Sequence, residues 1–390
     1  MLVGSDSREG LTEEEQQSFG ADDVGGERAD TLILAHIDPA ANTIVMVQFP
    51  RDLYVPISGV GNGKINGALE PGLNTLVRTM EDVTGVPIHH YIQVNIAGFR
   101  DVVDAIGGVG VCITETIPFD PQTGIEITEE ELGIVEFDGE RALRFVRSRE
   151  FETGDFERIE NQQKFLSAAI DKITAVGTFF NPARIMGLYR AVGDNLQLSE
   201  GTGIRKLVDI AQRLQDFDPT RYEAYIVPTA GYAENEAGSV ILPDASAMEI
   251  MFAAIANNES PSEADGVPDV DPASIRVGVY NGTAIAGHAE SSAAAIQEAL
   301  TVNGRTVAIG DIGALGRTDF RQTVVRYEAG YEEAAELVAA GLPGAVVQQG
   351  STPAGVDVAV VAGEHFETRR VIQLDPLDLP EGGALPAICR

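Results

Sequence analysis

The spacing of apolar residues divides the first two thirds of the chain into loosely alternating strands and helices. Period-two runs rich in β-branched residues predict a hairpin over residues 28–50, with turn residues from Asp38 to Asn42. Pro50 cannot donate to a strand ladder, so the return strand should end there and project Arg51 and Asp52. Further strands are predicted over residues 88–94, 109–113, 142–146 and 222–227. Helical spacing predicts helices over residues 72–84, 96–106, 158–175, 183–195, 203–216 and 244–257. This alternation favours an α/β or α+β layered domain.

Polar stretches connect these elements. Residues 9–27 are acidic and contain glycine, which predicts a surface loop, and Gly63 to Asn66 lie in a glycine-rich loop. Residues 114–138 form an acidic excursion that we interpret as two short surface strands. The predicted strand over 142–146 would deliver Arg147 and Arg149 at its end.

The last third of the chain predicts a second, smaller α/β domain. Residues 258–273 have the composition of a linker, so we expect a first domain over 1–257, a second over 274–365 and a tail over 366–390. The second domain is predicted as a β-α-β-β-α-β unit with one more strand after it. Its strands should span about 275–280, 305–310, 322–328, 344–348 and 356–361, with helices over 286–302 and 330–340.

The charge balance limits the classes of function. The formal net charge is −33, from 60 acidic against 27 basic residues, which argues against a general nucleic-acid binder. Arginine is therefore informative, because its guanidinium binds phosphate in a bidentate fork. Arg147, Arg149 and Arg158 stand close together, and we interpret them as serving a substrate pyrophosphate. The alternative is that each is a helix cap partner or a surface ion pair.

The chain has two cysteines, Cys112 and Cys389. This number excludes a disulfide-rich scaffold and a zinc site. One bridge would tie the C-terminal tail to the first domain, and two unpaired thiols are the alternative, because the sequence alone does not set connectivity.

Charged residues stand at the ends of several predicted apolar strands. Arginines suit a polyanion such as a pyrophosphate, and carboxylates suit a hard divalent cation such as Mg²⁺. If these strand ends meet, the combination is what phosphoryl transfer requires. The residues concerned are Asp6, Arg8, Arg28, Asp30, Arg51, Asp52, Arg147 and Arg149.

The ordered set of short motifs resembles the LytR-CpsA-Psr family of cell-wall ligases over about residues 4–257. The motifs run Gly4-Ser5-Asp6-Ser7-Arg8, Arg28-Ala29-Asp30-Thr31, Pro50-Arg51-Asp52, Lys64-Ile65-Asn66, Gly107-Gly108-Val109, Arg147-Ser148-Arg149 and Gly154-Asp155-x-x-Arg158 with Gln162. Residues 275–364 resemble the C-terminal domain often appended to these proteins, through the run from Val277 to Thr283.

The resemblance implies a membrane-anchored extracytoplasmic transferase of Gram-positive-type bacteria. Such enzymes use Mg²⁺ to move a glycopolymer from a polyprenyl-pyrophosphate carrier to peptidoglycan. The acceptor is the C6 hydroxyl of N-acetylmuramic acid, and the product is a phosphodiester. The implied fold is a mixed sheet with helices on both sides and a hydrophobic tunnel for the lipid.

The resemblance also implies roles by motif position. Asp6 and Asp30 match the metal ligands. The positions that match pyrophosphate binding are Arg28, Arg51, Arg147, Arg149 and Arg158, with Gln162 alongside, and Lys64 and Asn66 match further site positions. Asp52 or Asp155 would be the general base, with Arg51 also catalytic. The long loop from Arg8 to Arg28 departs from the usual pattern and leaves open how closely Asp30 approaches Asp6.

Two other functions remain open on the residues. One is hydrolysis of the same lipid pyrophosphate with water as acceptor, and the other is a binding or regulatory module without turnover. No run approaches the ~20 apolar residues of a membrane span. Because Met1 to Val3 read as a strand already in progress, we expect the anchor to precede this sequence.

Overall fold

The protein is described by a computed structural model. The described residues are 1–11, 27–148, 155–175, 193–199, 203, 205–206, 208–209, 222–264, 266–302, 304–314, 316–374, 376–377 and 387–389. Most of the predicted loop over 9–27 and of the helices predicted over 183–195 and 203–216 lies outside these residues. Contacts divide the chain into two compact units, Met1–Asn258 with Pro376–Arg390, and Glu259–Asp375.

The first unit is built on a six-stranded mixed sheet. Its strands are β1 (Leu2–Ser5), β2 (Ala29–Asp38), β3 (Thr43–Phe49), β6 (Ile92–Val94), β9 (Leu196–Leu198) and β10 (Tyr222–Ile226). They lie in the order β10-β3-β2-β1-β6-β9. The central strand β1 runs antiparallel to β2 and parallel to β6. The predicted hairpin is confirmed as β2 and β3, whereas the strand predicted over 88–94 is shorter.

Helices cover both faces of this sheet. In the described part of the unit, the helices are α1 (Leu73–Thr84), α2 (Ile96–Ala105), α3 (Gly139–Arg147), α4 (Asp155–Ala175) and α5 (Ala245–Ala256). On one face, Leu166 of α4 packs against Ile33 and Met46. Alternate residues of β3 point to the other face, where Phe49 stacks on Phe252 of α5 with ring centroids 5.9 Å apart. The prediction of a mixed sheet between helices is confirmed.

The strand predicted over residues 142–146 is wrong, because these residues belong to helix α3. Asp138 caps the helix, and its side chain accepts a hydrogen bond from the backbone N–H three residues on. Glu140 and Arg144 pair one turn apart on the exposed side. A five-residue segment with four apolar residues fits a strand or one buried helix face, and here the cap and the Glu140–Arg144 spacing indicate the helix.

Smaller hairpins surround the sheet. The predicted glycine-rich loop at 63–66 is partly the second strand of a hairpin, β4 (Tyr54–Ile57) with β5 (Gly61–Lys64), and Ile65–Leu69 then form a 3₁₀ turn. The other hairpins are β7 (Val109–Ile113) with β8 (Gly133–Phe137), and β11 (Thr229–Asn235) with β12 (Gly238–Pro243). The acidic segment over 114–138 is less superficial than predicted, because Ile117, Ile125 and Ile127 are buried in a core.

The second unit is built on a five-stranded sheet. The elements of the unit are α6 (Pro261–Ala264), β13 (Arg276–Asn281), α7 (His288–Ala299), β14 (Thr301–Val302), β15 (Arg305–Thr306), β16 (Ala308–Ala314), β17 (Val324–Tyr327), α8 (Glu332–Ala340), β18 (Val346–Gln349) and β19 (Val358–Ala362). The strand order in the sheet is β16-β13-β19-β17-β18. Val279 and Val360 from neighbouring strands pack with Ile296 of α7 and Leu337 of α8. The predicted small α/β domain is confirmed.

A disulfide joins Cys112 on β7 to Cys389, both in the first unit, with an S–S distance of 2.05 Å. The bridge is therefore the correct alternative of the two that the sequence left open. The predicted tail divides between the units: Val371 N–H donates to the Ala299 carbonyl in the second, whereas Leu377 N–H donates to the Ala224 carbonyl in the first.

Candidate functional site

A mostly apolar cavity of about 340 Å³ opens inside the first unit, between the central strands and helices α2, α3 and α4. Side chains from β1, β2 and β6 form one wall, and side chains from the three helices form the others. The apolar residues that line it include Leu2, Val3, Ile33, Ile92, Val94, Ile96, Phe99, Val102, Val103, Ile106, Leu143, Val146, Phe165, Leu166 and Ala169. Such a chamber binds the hydrocarbon part of a ligand through apolar contact.

Polar and charged residues gather at the same cavity. Asp6, Asp30, Arg147, Arg158 and Gln162 all line it. The structure therefore brings together five residues that the sequence predicted for the site, from two strand ends and two helices. The cavity combines an apolar interior with side chains suited to an anion and a cation.

The ladder between β1 and β2 places the two carboxylates near each other. Asp6 N–H donates to the Arg28 carbonyl at 3.0 Å, and Arg28 N–H donates back to Asp6 Oδ1 at 2.8 Å. The strands approach closely because Gly4 has no side chain; a Cβ there would lie 3.1 Å from Cβ of Thr31. At Arg28 the chain thus lies directly beside Asp6, so the long connection before it does not keep Asp30 away from Asp6.

The electrostatics of Asp6 follow from this position. Burial raises the pKa of the Asp6 carboxyl above its ordinary value of 3.8, and the negative charge of Asp30 raises it further. The hydrogen bond from Arg28 N–H opposes this shift and lowers the pKa. A bound cation would relieve the repulsion between Asp6 and the neighbouring Asp30 carboxylate.

A chain of ion pairs runs from Asp30 away from the cavity. Arg51 Nη1 lies 3.1 Å from Asp30 Oδ1, and Arg51 Nε lies 3.5 Å from Asp52 Oδ2. Lys64 Nζ then lies 2.9 Å from Asp52 Oδ1. Both oxygens of Asp52 therefore contact a cation. Asn66, 8% exposed, donates from its backbone N–H to the Arg51 carbonyl at 3.1 Å, which supports the backbone at Arg51.

The remaining predicted arginines occupy different surroundings. Arg28 pairs with Glu70 at 3.2 Å, and it is not among the residues that line the cavity. Arg147 ends α3, whereas Arg158 stands in the first turn of α4 and is only 3% exposed. The positive end of the α4 dipole adds to this charge.

Two predicted residues fall partly or wholly outside the described part of the chain. Arg149 lies outside it. Asp155 begins α4 in the backbone, and its side chain is not described. The proposed roles of both residues therefore stay predictions.

Sequence reasoning missed a group of buried amides beneath the cavity. Gln48 and Gln163 are 1% and 0% exposed; Gln48 Nε2–H donates to Gln162 Oε1, and Gln163 Nε2–H donates to Gln48 Oε1. The available signal was Gln48 itself, a polar residue at an inward position of an apolar strand. Among the described residues, no three His, Cys, Asp or Glu side chains gather as a metal site, and the cation role of Asp6 and Asp30 stays a prediction.

Comparison with known families shows which family this chain belongs to. The LytR_cpsA_psr family model matches residues 1–255. The chain belongs to the LytR-CpsA-Psr family. A second model, described as LytR cell envelope-related transcriptional attenuator, matches residues 274–366.

Similar proteins carry names from cell-wall biosynthesis. Probable cell wall biosynthesis protein LcpB of Corynebacterium glutamicum is 34% identical over 257 residues, which cover 65% of this chain and 60% of that protein. LcpA of the same organism is 28% identical over 345 residues, which cover 76% of this chain and 64% of that protein. The chain thus spans less than two thirds of the length of these relatives.

A teichoic acid transferase and a solved structure are also similar to parts of this chain. The polyisoprenyl-teichoic acid–peptidoglycan teichoic acid transferase TagU of Bacillus cereus is 38% identical over 163 residues, which cover 40% of this chain and 50% of that protein. The crystal structure of Bacillus subtilis TagV matches with 24% identity and a TM-score of 0.54, over 67% of this chain and 96% of that one. The TagV match shows that the two proteins share a fold. No helix in the described part of this chain is long and apolar enough to cross a bilayer.

Proposed function

We propose that this member of the LytR-CpsA-Psr family is a phosphotransferase. It would move a glycopolymer from a polyprenyl-pyrophosphate carrier to the C6 hydroxyl of N-acetylmuramic acid in peptidoglycan, with Mg²⁺ assisting. One observation carries the proposal: an apolar cavity whose lining includes two carboxylates, two arginines and the Gln162 amide. That combination suits a molecule with a hydrocarbon tail and a pyrophosphate head.

Each part of the donor has a counterpart in the cavity. The polyprenyl tail fits the apolar interior, where burial contributes about 25 cal/mol per Å² of apolar surface. Arg147 and Arg158 suit the pyrophosphate oxygens, because a guanidinium binds them in a fork. The names of relatives, TagU among them, support the same class of donor and acceptor.

The carboxylate pair fits a magnesium ion. Mg²⁺ is commonly held by one or two carboxylates together with substrate phosphates, so Asp6 and Asp30 suffice on the protein side. When bound, Mg²⁺ would neutralise charge on the phosphates. Arg51 holds the Asp30 carboxylate from the other side.

In the proposed reaction the muramic hydroxyl attacks the phosphorus next to the sugar. The bond from that phosphorus to the bridging oxygen breaks, and polyprenyl phosphate leaves. The hydroxyl proton passes to a carboxylate. Because both oxygens of Asp52 contact cations, we assign Asp52 to positioning Arg51, and we assign the base role to Asp155.

We also propose that the protein works on the extracytoplasmic face of the membrane of a Gram-positive-type bacterium. Disulfides persist in oxidising compartments, which supports a location outside the cytoplasm for the Cys112–Cys389 bridge. A single-pass N-terminal anchor, as the family resemblance implies, would hold the cavity near its lipid substrate.

Transfer of a short labelled glycan from a polyprenyl pyrophosphate to peptidoglycan oligomers tests the proposal. We expect a phosphodiester-linked product that requires both the acceptor and Mg²⁺ and disappears with EDTA. Release of free glycan phosphate at the same rate without acceptor would instead identify a hydrolase. Donor binding without any turnover would identify a binding module.

Asp6→Asn tests the cation site without measuring activity. The folded state binds the Asp6 proton more tightly than the unfolded state, so the contribution of Asp6 to stability falls as pH rises through its raised pKa. Asn keeps an oxygen for Arg28 N–H and removes the charge. We therefore expect Asp6→Asn to raise the melting temperature in EDTA at pH 8, with the gain shrinking toward pH 4.

Magnesium should reverse the order of the two melting temperatures. Added Mg²⁺ should raise the melting temperature of the unmodified protein and leave that of Asp6→Asn unchanged, because only the former retains both carboxylates. Asp82→Asn, at an exposed position of α1, is the matched control and should behave as the unmodified protein. Equal Mg²⁺ shifts in all three proteins would remove Asp6 from the cation site.

A further inference from the structure

A continuous hydrogen-bonded chain of buried and half-buried side chains leads from strand β10 to the cavity. Tyr222 Oη–H donates to Gln163 Oε1 at 3.0 Å, and Gln163 Nε2–H donates to Gln48 Oε1 at 2.7 Å. Gln48 Nε2–H then donates to Gln162 Oε1, and Gln162 Nε2–H donates to the Val146 carbonyl at 2.9 Å. Gln162 is the member that lines the cavity.

The direction of this chain is determined at its Val146 end. A backbone carbonyl only accepts hydrogen bonds, so Gln162 must turn Nε2 toward Val146 and Oε1 toward Gln48. Gln48 must then offer Nε2 to Gln162 and Oε1 to Gln163. Gln163 turns its own Oε1 outward, where the Tyr222 hydroxyl supplies the last donor.

Burial makes the direction of these hydrogen bonds energetically costly to change. Gln48 and Gln163 are 1% and 0% exposed, so water does not replace a lost partner. Flipping either amide would set oxygen against oxygen and nitrogen against nitrogen, which leaves buried polar groups unsatisfied. The tyrosine at the end of the chain stays a hydroxyl, because burial and the charge of Asp171 raise its pKa.

The orientation of the Gln162 amide determines whether it presents a hydrogen-bond donor or an acceptor to a ligand. Its Oε1 already accepts from Gln48, and one hydrogen of its Nε2 goes to Val146. The other Nε2–H is the donor left for the cavity among the contacts of the described residues. A donor suits a phosphate oxygen, whereas a flipped amide would present an acceptor that repels it.

We infer that Gln48 is a positioning residue that, with Gln163 and Tyr222, holds the Gln162 amide as a hydrogen-bond donor to the pyrophosphate head. This inference rests on the proposed function and adds a determinant of head-group recognition that lies outside the cavity lining. Gln48 itself does not touch the ligand. It acts through Gln162.

Gln48→Glu separates positioning from packing, because the two side chains have the same shape. When protonated, the introduced carboxyl group donates to Gln162 Oε1 and accepts from Gln163, as the glutamine does. When ionised, the same group offers only acceptors, which turns the Gln162 amide round. The introduced group lies near Tyr222 and Asp171, so the pH response of the unmodified protein is the baseline.

The experiment measures the binding of farnesyl diphosphate to the full chain by calorimetry at pH 8.0 and pH 5.5. We expect Gln48→Glu to bind at least about tenfold more weakly than the unmodified protein at pH 8.0, and within about twofold of it at pH 5.5. Farnesol, with the same tail and no phosphate, should bind all variants equally at both pH values. Gln297→Glu, the same change at an exposed position of α7, should bind as the unmodified protein does.

Gln48→Met keeps the inference testable if the glutamate variant does not fold. Methionine fills the site without donating, so farnesyl diphosphate should bind about tenfold more weakly at both pH values. Unchanged binding by either folded variant would overturn the positioning role and leave the proposed function intact. Failure of the unmodified protein to bind farnesyl diphosphate would overturn both.

Discussion

Replacing Arg158 with glutamine is expected to lower transferase kcat/KM by about three orders of magnitude. Arg158 is 3% exposed and lines the cavity at the first turn of α4, so its charge acts in a site with little water. In the proposed reaction it stabilises the negative charge that develops on the pyrophosphate as polyprenyl phosphate leaves. Initial rates with a short polyprenyl-pyrophosphate glycan and peptidoglycan oligomers measure the change.

Two further variants test whether the loss of rate comes from the guanidinium of Arg158. Arg158→Lys keeps the charge and loses the fork, so we expect an intermediate loss of rate. Arg144→Gln removes an arginine from the exposed face of α3, where it pairs with Glu140, and should leave the rate unchanged. If Arg158→Gln folds and turns over at the unmodified rate, the assignment of Arg158 to the pyrophosphate is wrong.

Reducing the Cys112–Cys389 bridge is expected to lower the free energy of unfolding of the first unit by about 3 to 5 kcal/mol. The two cysteines are 277 positions apart in sequence, so the bridge strongly restricts the unfolded chain. It also holds the end of the tail to the hairpin of β7 and β8. Urea denaturation with and without dithiothreitol measures the loss.

The double variant Cys112→Ala/Cys389→Ala serves as the control. It should unfold at the urea concentration of the reduced protein and should not respond to dithiothreitol. The second unit, Glu259–Asp375, contains neither cysteine, so a transition assigned to it should not move. Identical unfolding of the oxidised and reduced proteins would show that the bridge contributes nothing to stability.

The sequence-based predictions succeed where the hydrophobic pattern is long and fail where it is short. The hairpin over 28–50 and the helices over 72–84 and 96–106 appear in the structure close to their predicted bounds, because their periodicity extends over many residues. The strand predicted over 142–146 is wrong because four apolar residues in a five-residue segment do not distinguish the two periods. The residue that caps the helix, Asp138, lies outside that segment.

Some residues of the candidate site could be predicted from the sequence, and others could not. The order of the motifs was enough to nominate Asp6, Asp30, Arg147, Arg158 and Gln162, and the structure places all five at one cavity. Gln48 and Gln163 escaped notice because their importance depends on a partner more than a hundred positions away. A periodic pattern records local geometry, and it contains nothing about such a pairing.

By itself, the sequence determined most of the local elements, the family and the residue types available for phosphate and metal binding, because each depends on neighbours in the chain or on motif order. Only the tertiary structure decided that Asp30 reaches Asp6 across a long loop, that Cys112 pairs with Cys389, and which way the Gln162 amide points. These outcomes depend on contacts between distant segments. Burial then makes one arrangement much more stable than its alternatives.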